Sequence, residues 1–573
     1  MFLSDAAQGM LTLEGKTARR VLASVVRRPG VEGPFAPNIM LFRQPERSQR
    51  FLFDVTSNHG GASRRTRSEE ESSVDDPGKS DGRIVPLQRV NQARESNSGN
   101  AEGGKAAKLP RESDRTSPAL SGGTAMHHRL ARISARAERL PEERFNNLYS
   151  LLDVELLRQA FQQLERGKAS GVDSMTVEQY EADLERNLRD LADRLQRQSY
   201  RPRPSLRKLI PKGDGKTRPL GIACVEDKLV QRALVMILEP IYERDFLPCS
   251  FGFRPGKSCH DALGLLGQYV ATTNVNWVSD SDIKGFFDHV DHARLLELLG
   301  LRIADPRLLR LITRFLKAGV MIEGRREETE EGVPQGSVLS PLLANVYLHY
   351  VLDRWFARDV QPRLGGAACL VRYADDFIVG FERERDAQRF QEVLRKRLAK
   401  YSLQLAEEKT KLVRFGRFAE RDCARRNDGS RPGTFDFLGF THYGGHSRTG
   451  KFKLKRKTAT KKLRAKFRTL KEWFRQNLTT PIDEVWGQLN SKLRGHYQYY
   501  GVNDNWPWLV KFREAARRFA YRWICRRSQK GRLSHRAYQQ YLVHNPLAAP
   551  QRLTDLIARG RQLAAAVGAV GVR

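Results

Sequence analysis

Leu370-Val-Arg-Tyr373-Ala374-Asp375-Asp376-Phe377-Ile-Val-Gly-Phe381 sets two adjacent carboxylates between two apolar, β-branched runs. The pattern predicts a β-hairpin with the acids at its tip. Asp pairs are common in ordinary turns, because Asp tolerates turn geometry. Arms this hydrophobic do not suit a surface hairpin, so the acids are expected on a buried sheet. Ionised carboxylates on such a platform need a counter-charge, and a pair of Mg²⁺ ions supplies one.

Upstream, Trp277-Val-Ser-Asp-Ser-Asp282-Ile283-Lys-Gly-Phe286-Phe287-Asp288-His-Val-Asp291 carries a third acid. Lys284-Gly285 breaks a short strand pattern, and Phe286, Phe287 and Val290 resume with helical spacing, which places Asp282 at a strand-to-helix turn. Two Mg²⁺ ions about 3.5–4 Å apart need carboxylates from separate strands to clamp the attacking and leaving oxygens of an in-line displacement. Asp282, Asp375 and Asp376 can supply that clamp.

With these residues the chain resembles a reverse transcriptase of the group II intron type, also called an intron-encoded maturase. Gly171-Val-Asp173 is similar to the family's early fingers motif. Leu209-Ile-Pro-Lys212-Gly-Asp-Gly-Lys216-Thr-Arg218-Pro219-Leu-Gly-Ile resembles its nucleotide-facing fingers hairpin, and Ser250-Phe-Gly-Phe-Arg254-Pro-Gly-Lys-Ser258 the block after it. Asp282 to Asp288 is similar to the first palm motif, and Gly332-Val-Pro-Gln335-Gly336-Ser337-Val-Leu-Ser340-Pro341 to the second. Tyr373-Ala-Asp-Asp376 follows, then Glu408-Lys409-Thr410 and Phe435-Asp-Phe-Leu-Gly-Phe440. Ordered blocks over roughly half the chain are very hard to obtain by chance. The resemblance implies an α+β right-hand polymerase, with fingers, an antiparallel palm sheet and a helical thumb or maturase domain.

Each block also has a physical reading. Lys212, Lys216 and Arg218 flank a Gly-Asp-Gly turn, so a hairpin would project positive charge toward a triphosphate, although a solvated turn is an adequate reading of Lys216. Gly336 lets a backbone approach the incoming nucleotide, and Gln335 beside it can hydrogen-bond across the template base pair. Phe287 stands five residues after Asp282, where the resemblance implies a bulky side chain that blocks a ribose 2′-hydroxyl; core packing is compatible with that role. Lys409 follows a helix pattern with Ala387, Phe390, Leu394, Leu398 and Tyr401 on one face. The resemblance implies that Lys409 protonates the pyrophosphate leaving group, and a solvated lysine is the alternative. Gly252 to Ser258 only superficially resembles a phosphate loop, since its glycines are one residue too close. His289 and His292 lack further ligands at zinc spacing and are read as helix-surface residues.

Composition points to a polyanionic partner independently. The 573 residues hold 100 Lys and Arg against 66 Asp and Glu, a formal charge of +34. Thr441 to Arg573 alone contains 29 basic and 6 acidic residues, so this quarter of the chain carries most of the excess. No run is long enough to span a bilayer, Asp5 interrupts any signal-peptide pattern, and no membrane partner is expected. Six cysteines form neither a Cys-x-x-Cys pair nor a small-domain disulfide pattern, which suits a reducing bacterial cytoplasm, with nucleoid association when acting on DNA. Many relatives end in an HNH nuclease domain with paired Cys and His ligands. Cys525 is alone and Arg561 to Arg573 offers no ligands, so that domain is not expected.

Three regions follow. Residues 1–125, rich in Gly, Ser, Arg and Pro, are expected to be a disordered extension. Residues 126–440 should hold N-terminal helices, fingers and palm, and residues 441–573 a basic thumb. In the thumb, Lys451-Phe-Lys-Leu-Lys-Arg-Lys reads as a basic strand. Leu463, Phe467, Leu470 and Phe474 mark one helix, Trp486, Leu489 and Leu493 a second, and Trp508, Phe512, Phe519 and Trp523 a third. The tryptophans are expected in the core. Leu493-Arg494-Gly-His-Tyr497-Gln-Tyr499-Tyr500 resembles the maturase signature, where the family grips intron RNA. Lys451, Lys453, Lys455, Arg456, Lys461, Lys462, Arg464 and Arg494 are expected on phosphates, and at least one of Tyr497, Tyr499 and Tyr500 on an unpaired base.

The combined expectation is an RNA-directed DNA polymerase of a mobile group II intron that doubles as its splicing cofactor. Its metal ligands would be Asp282, Asp375, Asp376 and the Ile283 carbonyl. Its substrates would be deoxynucleotides, an RNA template and a DNA primer or target, with a homodimer left open. Alternatives are a splicing-only maturase with a decayed polymerase site and a retron or defence reverse transcriptase.

Overall fold

The computed structural model describes residues 121–211, 217–426, 431–527, 533–551 and 553–570. The expected extension lies almost wholly outside these, and so do Lys212 and Lys216. The first described helix, Ser121–Arg139, begins ahead of the boundary expected at residue 125.

Among the described residues, eleven strands follow the first helices. They are β1 (Ser205–Pro211), β2 (Thr217–Ile222), β3 (Trp277–Ser281), β4 (Val320–Ile322), β5 (Arg325–Glu327), β6 (Ala368–Tyr373), β7 (Asp376–Phe381), β8 (Lys411–Arg414), β9 (Phe435–Phe437), β10 (Phe440–His446) and β11 (Phe452–Thr458). They form a fingers sheet ordered β2-β1-β4-β5, a palm sheet ordered β6-β7-β3-β8 and a thumb-base sheet ordered β11-β10-β9. All palm pairings are antiparallel. The fold is therefore the α+β right hand that the sequence predicts. Strands β9, β10 and β11 make one sheet across residue 440.

The palm sheet is buried on both faces, which explains why its strands read as apolar runs rather than alternating ones. Leu370, Phe377, Val379 and Phe381 enter a core shared with the helices Val225–Asp245, Ser340–Leu348 and Glu384–Lys400. Val278, Val371 and Ile378, on the opposite face, enter a second core with the helix Cys259–Thr272 and the thumb. Asp280 and Ile378 are cross-strand partners, and continuing that register sets Asp282 opposite Asp376, beyond the part of the face the apolar side chains cover.

What fixes the hairpin tip is an arginine. Arg372 is completely buried, and its Nη1 donates to the Ala374 carbonyl at 3.0 Å and to Asn345 Oδ1 at 3.0 Å. Its Nε and Nη2 donate to the two carboxylate oxygens of Asp353 at 2.7 and 2.5 Å, and Nη2 also donates to Ser250 Oγ at 2.7 Å. Asp353 lies in a π-helical stretch, His349–Asp353, that continues the helix Ser340–Leu348. Such turns shift side-chain register and recur at functional sites. The Ser250-Phe-Gly-Phe-Arg254 block packs beneath the same turn. A Cβ on Gly252 would lie 2.3 Å from the Ala374 nitrogen, so only glycine fits, and the Gly252 carbonyl accepts from Asn345 Nδ2 at 2.7 Å.

The three expected thumb helices are present as Thr460–Gln476, Ile482–Tyr500 and Trp506–Arg526. Trp486 and Trp523 are buried as expected, and Trp508 packs half-buried against the same core. Two further helices, His535–His544 and Leu556–Val570, were not anticipated. The second lies along the palm helix Cys259–Thr272, where a Cβ on Gly560 would come 2.3 Å from the Gly264 carbonyl oxygen.

Two predictions follow from these cores. Arg372→Met leaves the buried Asp353 carboxylate without its partner, which costs about 3–5 kcal/mol. Urea unfolding should show that loss, and adding Asp353→Leu should restore most of it; an equal loss in the double variant would deny that the orphaned charge is the cause. The second concerns His496, which stacks on Phe512 with centroids 3.9 Å apart and has neither ring nitrogen hydrogen-bonded. Burial pushes its imidazole down to about 3, assisted by Lys466. A folded-state value below the unfolded one makes stability drain away as pH falls below the unfolded value, since only the unfolded chain takes up the proton. Between pH ~7.5 and ~5 this amounts to about 2 kcal/mol. His496→Phe should be less acid-sensitive than the wild type by that amount, and identical pH dependence would refute the assignment.

Candidate active site

Ala374 and Asp375 form the two-residue turn between Tyr373 and Asp376, with Ala374 in the left-handed region at φ 56°. Asp375 therefore stands at the apex and Asp376 begins the descending strand. Asp282 follows β3, and its carbonyl accepts from Ala406 N at 2.8 Å. Ile283 beside it is buried and bridged to Leu405.

These carboxylates repel one another. Asp376 opens to solvent on one side and is crowded by protein on the others; that crowding, then Asp375 and Asp282, pushes its carboxyl up to about 6. Asp375 is raised by burial and by Asp282, against the opposing charges of Arg218 and Arg372. Asp280, which sequence reasoning passed over, belongs to the same cluster. Burial, then Asp376 and Asp436, lift it to about 7, with Lys411 opposing. An acid two residues before Asp282 on a strand must share its face, and that signal was available.

Lys409 Nζ pairs with Asp282 Oδ2, and this carboxylate holds the lysine's proton above its ordinary value. Lys462, on the first turn of the thumb, also opposes the rise at Asp376. Carboxylate oxygens from two strands, short of positive charge, are the donor set that hard divalent cations take. Among the described residues no three His, Cys, Asp or Glu side chains are grouped so as to hold a metal ion, and Asp282 is engaged by Lys409.

Beside the acids is a cleft of about 200 Å³ walled by Arg207, Pro219 and Gly221 of the fingers and by Phe287, Asp288, Gly332 and Gln335 of the palm. Arg218 Nε donates to Gln335 Oε1 at 2.6 Å, and Gln335 Nε2 donates to Asp288 Oδ1 at 3.2 Å. Arg218 is thus linked through Gln335 to Asp288, and Gln335 and Asp288 line the cleft. Phe287 packs edge-to-face on Phe286 at 5.3 Å and also lines the cleft. Gly336, at φ 107°, makes its close approach to the fingers, since a Cβ there would lie 2.6 Å from the Gly221 carbonyl oxygen.

The thumb contacts need correction. Lys451, Lys461, Lys462, Arg464 and Arg494 are exposed. Lys453 pairs with Asp504 at 2.8 Å, and Lys455 lies half-buried along Gly445. Arg456 is not at the surface: it is buried and donates to the Leu263 carbonyl at 2.6 Å, because strand alternation turns it inward with Leu454 and Thr458. Nor is a tyrosine left over for a base. Tyr497 and Tyr500 share the buried face of Trp486, Leu489 and Leu493, and Tyr499 packs half-buried on Phe440 and donates to the Leu438 carbonyl at 2.9 Å. His292 is likewise not a surface residue; it is buried, with Nε2 on the Gly332 carbonyl at 2.7 Å.

Comparison with known proteins agrees with this geometry. The family described as reverse transcriptase (RNA-dependent DNA polymerase) matches residues 210–442. The group II intron-encoded protein LtrA of Lactococcus lactis subsp. cremoris is 33% identical over 303 residues, covering 51% of this chain and 50% of LtrA. Protein YkfC of Escherichia coli (strain K12) is 37% identical over 237 residues, 36% of this chain and 62% of YkfC. Nuclear intron maturase 2, mitochondrial, of Arabidopsis thaliana is 30% identical over 176 residues, 24% of each chain. The chain spans about half the length of LtrA. Residues 210–442 accordingly match the reverse transcriptase family, and the chain is similar to group II intron-encoded and intron maturase proteins.

Proposed function

We propose that the chain is the RNA-directed DNA polymerase of a mobile group II intron, and that it also binds the intron RNA and assists its splicing. The observation that carries this reading is the register that sets Asp282 opposite Asp376 and next to Asp375, together with Arg218 bonded to Gln335 at a cleft that Gln335 and Phe287 line. Two Mg²⁺ ions held by Asp282, Asp375 and Asp376, with the Ile283 carbonyl, would supply Lewis-acid stabilisation of the attacking and leaving oxygens.

The chain's own residues do the rest. Arg218 exchanges its bond to Gln335 for triphosphate oxygens, a charge-assisted contact stronger than the neutral one it replaces. Lys212 is expected to join it. Gln335, released on that side and still held by Asp288, faces the nascent base pair. Phe287, which lines the cleft, would exclude a 2′-hydroxyl, and Lys409, once released from Asp282, would protonate the leaving pyrophosphate. In splicing the RNA does its own chemistry, and exposed Lys451, Lys461, Lys462, Arg464 and Arg494 neutralise packed phosphates. Among the described residues no helix is long and apolar enough to cross a membrane. A bacterial cytoplasmic protein, acting at the nucleoid on DNA, accords with the basic thumb.

The test is primer extension on an RNA template with Mg²⁺ and deoxynucleotides. The wild type should extend, and Asp375→Ala should abolish synthesis while binding structured intron RNA as before. Loss of synthesis and RNA binding together would make the carboxylates structural. A wild type that binds RNA tightly but never extends a primer would leave a splicing-only maturase.

A further inference from the structure

We infer that His292 and Gly332 set the choice between deoxyribonucleotides and ribonucleotides, by fixing the backbone that carries Phe287. The inference rests on the reading of Phe287 given above and deepens it. Both act as positioning residues, and neither belongs to the proposed chemistry.

Phe287 sits in a single 3₁₀ turn, Phe286–Asp288, which on its own is too short to be rigid. Its stiffness comes from the segment opposite. Val333 N donates to the Phe287 carbonyl at 2.8 Å, and Gly332 N donates to the Val290 carbonyl at 2.8 Å. The two segments close up because residue 332 lacks a side chain. A Cβ there would lie 2.8 Å from the Asp288 carbonyl oxygen and 3.0 Å from that of Phe287, and both contacts are with backbone, which cannot swing aside. Gly332 also has φ 85°, which a substituted residue adopts only under strain.

His292 holds this strip from behind. It is 6% exposed, and its Nε2 must donate to the Gly332 carbonyl at 2.7 Å, since the carbonyl can only accept. Its Nδ1 is buried without a partner, so a polar ring is kept here for this one bond. Buried Phe286 supports the Phe287 ring from the side, at 5.3 Å and 72°. Ring and backbone are therefore each held by a separate contact. A gate that rejects one extra oxygen works by close contact, and repulsion changes steeply over tenths of an ångström. Loosening the strip should admit the ribose without removing the ring.

The experiment measures kcat/KM for a matched dNTP and rNTP on one RNA template and primer, using the full chain and its Phe287→Ala, His292→Phe, His292→Gln and Gly332→Ala variants. Phe287→Ala should lose most of the preference for dNTP. His292→Phe, which fills the space and lacks the donor, should lose it by about tenfold, the effect of about one hydrogen bond. His292→Gln, whose amide can still donate, should recover most of that, and Gly332→Ala should lose at least as much as His292→Phe. Where Gly332→Ala does not fold, the two His292 variants decide alone. Equal losses of kcat/KM for both nucleotides, or an unchanged preference in His292→Phe while Phe287→Ala relaxes it, would overturn the inference. An unchanged preference in Phe287→Ala would instead overturn the gate itself.

Discussion

The turn that carries Asp375 and Asp376 depends on one buried guanidinium. An ion pair taken fully out of water, such as Arg372 with Asp353, gains little net stability over a well-packed apolar pair. Its contribution is direction. The planar fork of arginine sends fixed donors to several acceptors at once, which a lysine point charge does not. Here the acceptors come from the turn itself (Ala374), the loop below it (Ser250), the helix behind it (Asn345) and the π turn that follows (Asp353). Four parts of the chain are thereby held in one geometry, with Asp375 one residue beyond the pinned carbonyl.

Charge in the site is distributed by the same logic. Beyond the effect of burial, Asp282 and Asp375 raise the proton affinity of Asp376, Asp282 raises that of Asp375, and Asp376 and Asp282 raise that of Asp280. The cations that oppose them come from separate regions: Arg218 from the fingers, Lys409 from the palm edge and Lys462 from the thumb. Only Lys409 makes a direct ion pair with this cluster among the described residues. Most of the negative charge of this cluster is left without a direct ion pair, on a sheet whose strands carry apolar side chains into both cores.

Much of this was legible in the sequence because the relevant signals are local. The palm hairpin is two apolar runs around a turn, and each thumb helix repeats its apolar stripe at helical spacing. The misreadings have physical causes too. Arg456 was grouped with its basic neighbours although a period of two puts it on the face opposite Lys453, Lys455 and Lys457. Tyr497 and Tyr500 continue the stripe Trp486, Leu489, Leu493 at steps of three and four, so helical spacing already placed them in the core. His292 was harder. Its partner is a backbone carbonyl 40 residues away, and no side-chain pattern announces a carbonyl. The C-terminal helix was unreadable for a similar reason, since it docks through Gly560 on Gly264 and small residues leave no periodic apolar signal.

Tyr499 shows why the maturase-like stretch and the polymerase cannot be treated as separate modules. One step off the buried stripe, it faces the palm rather than the thumb core. Its carbonyl accepts from His260 at 2.8 Å, its ring stacks on Phe440, and its hydroxyl reaches the Leu438 carbonyl. Cys259, next to His260, lies within hydrogen-bonding reach of both Tyr499 and Tyr373, and Tyr373 opens the catalytic turn. The thumb is therefore joined to the palm by side chains at the base of the acids, as well as by the sheet that crosses residue 440. A stretch with three tyrosines looks like a nucleic-acid surface when read by composition. Read by contacts, it is the joint that sets where the basic face of the thumb stands relative to Asp375 and Asp376.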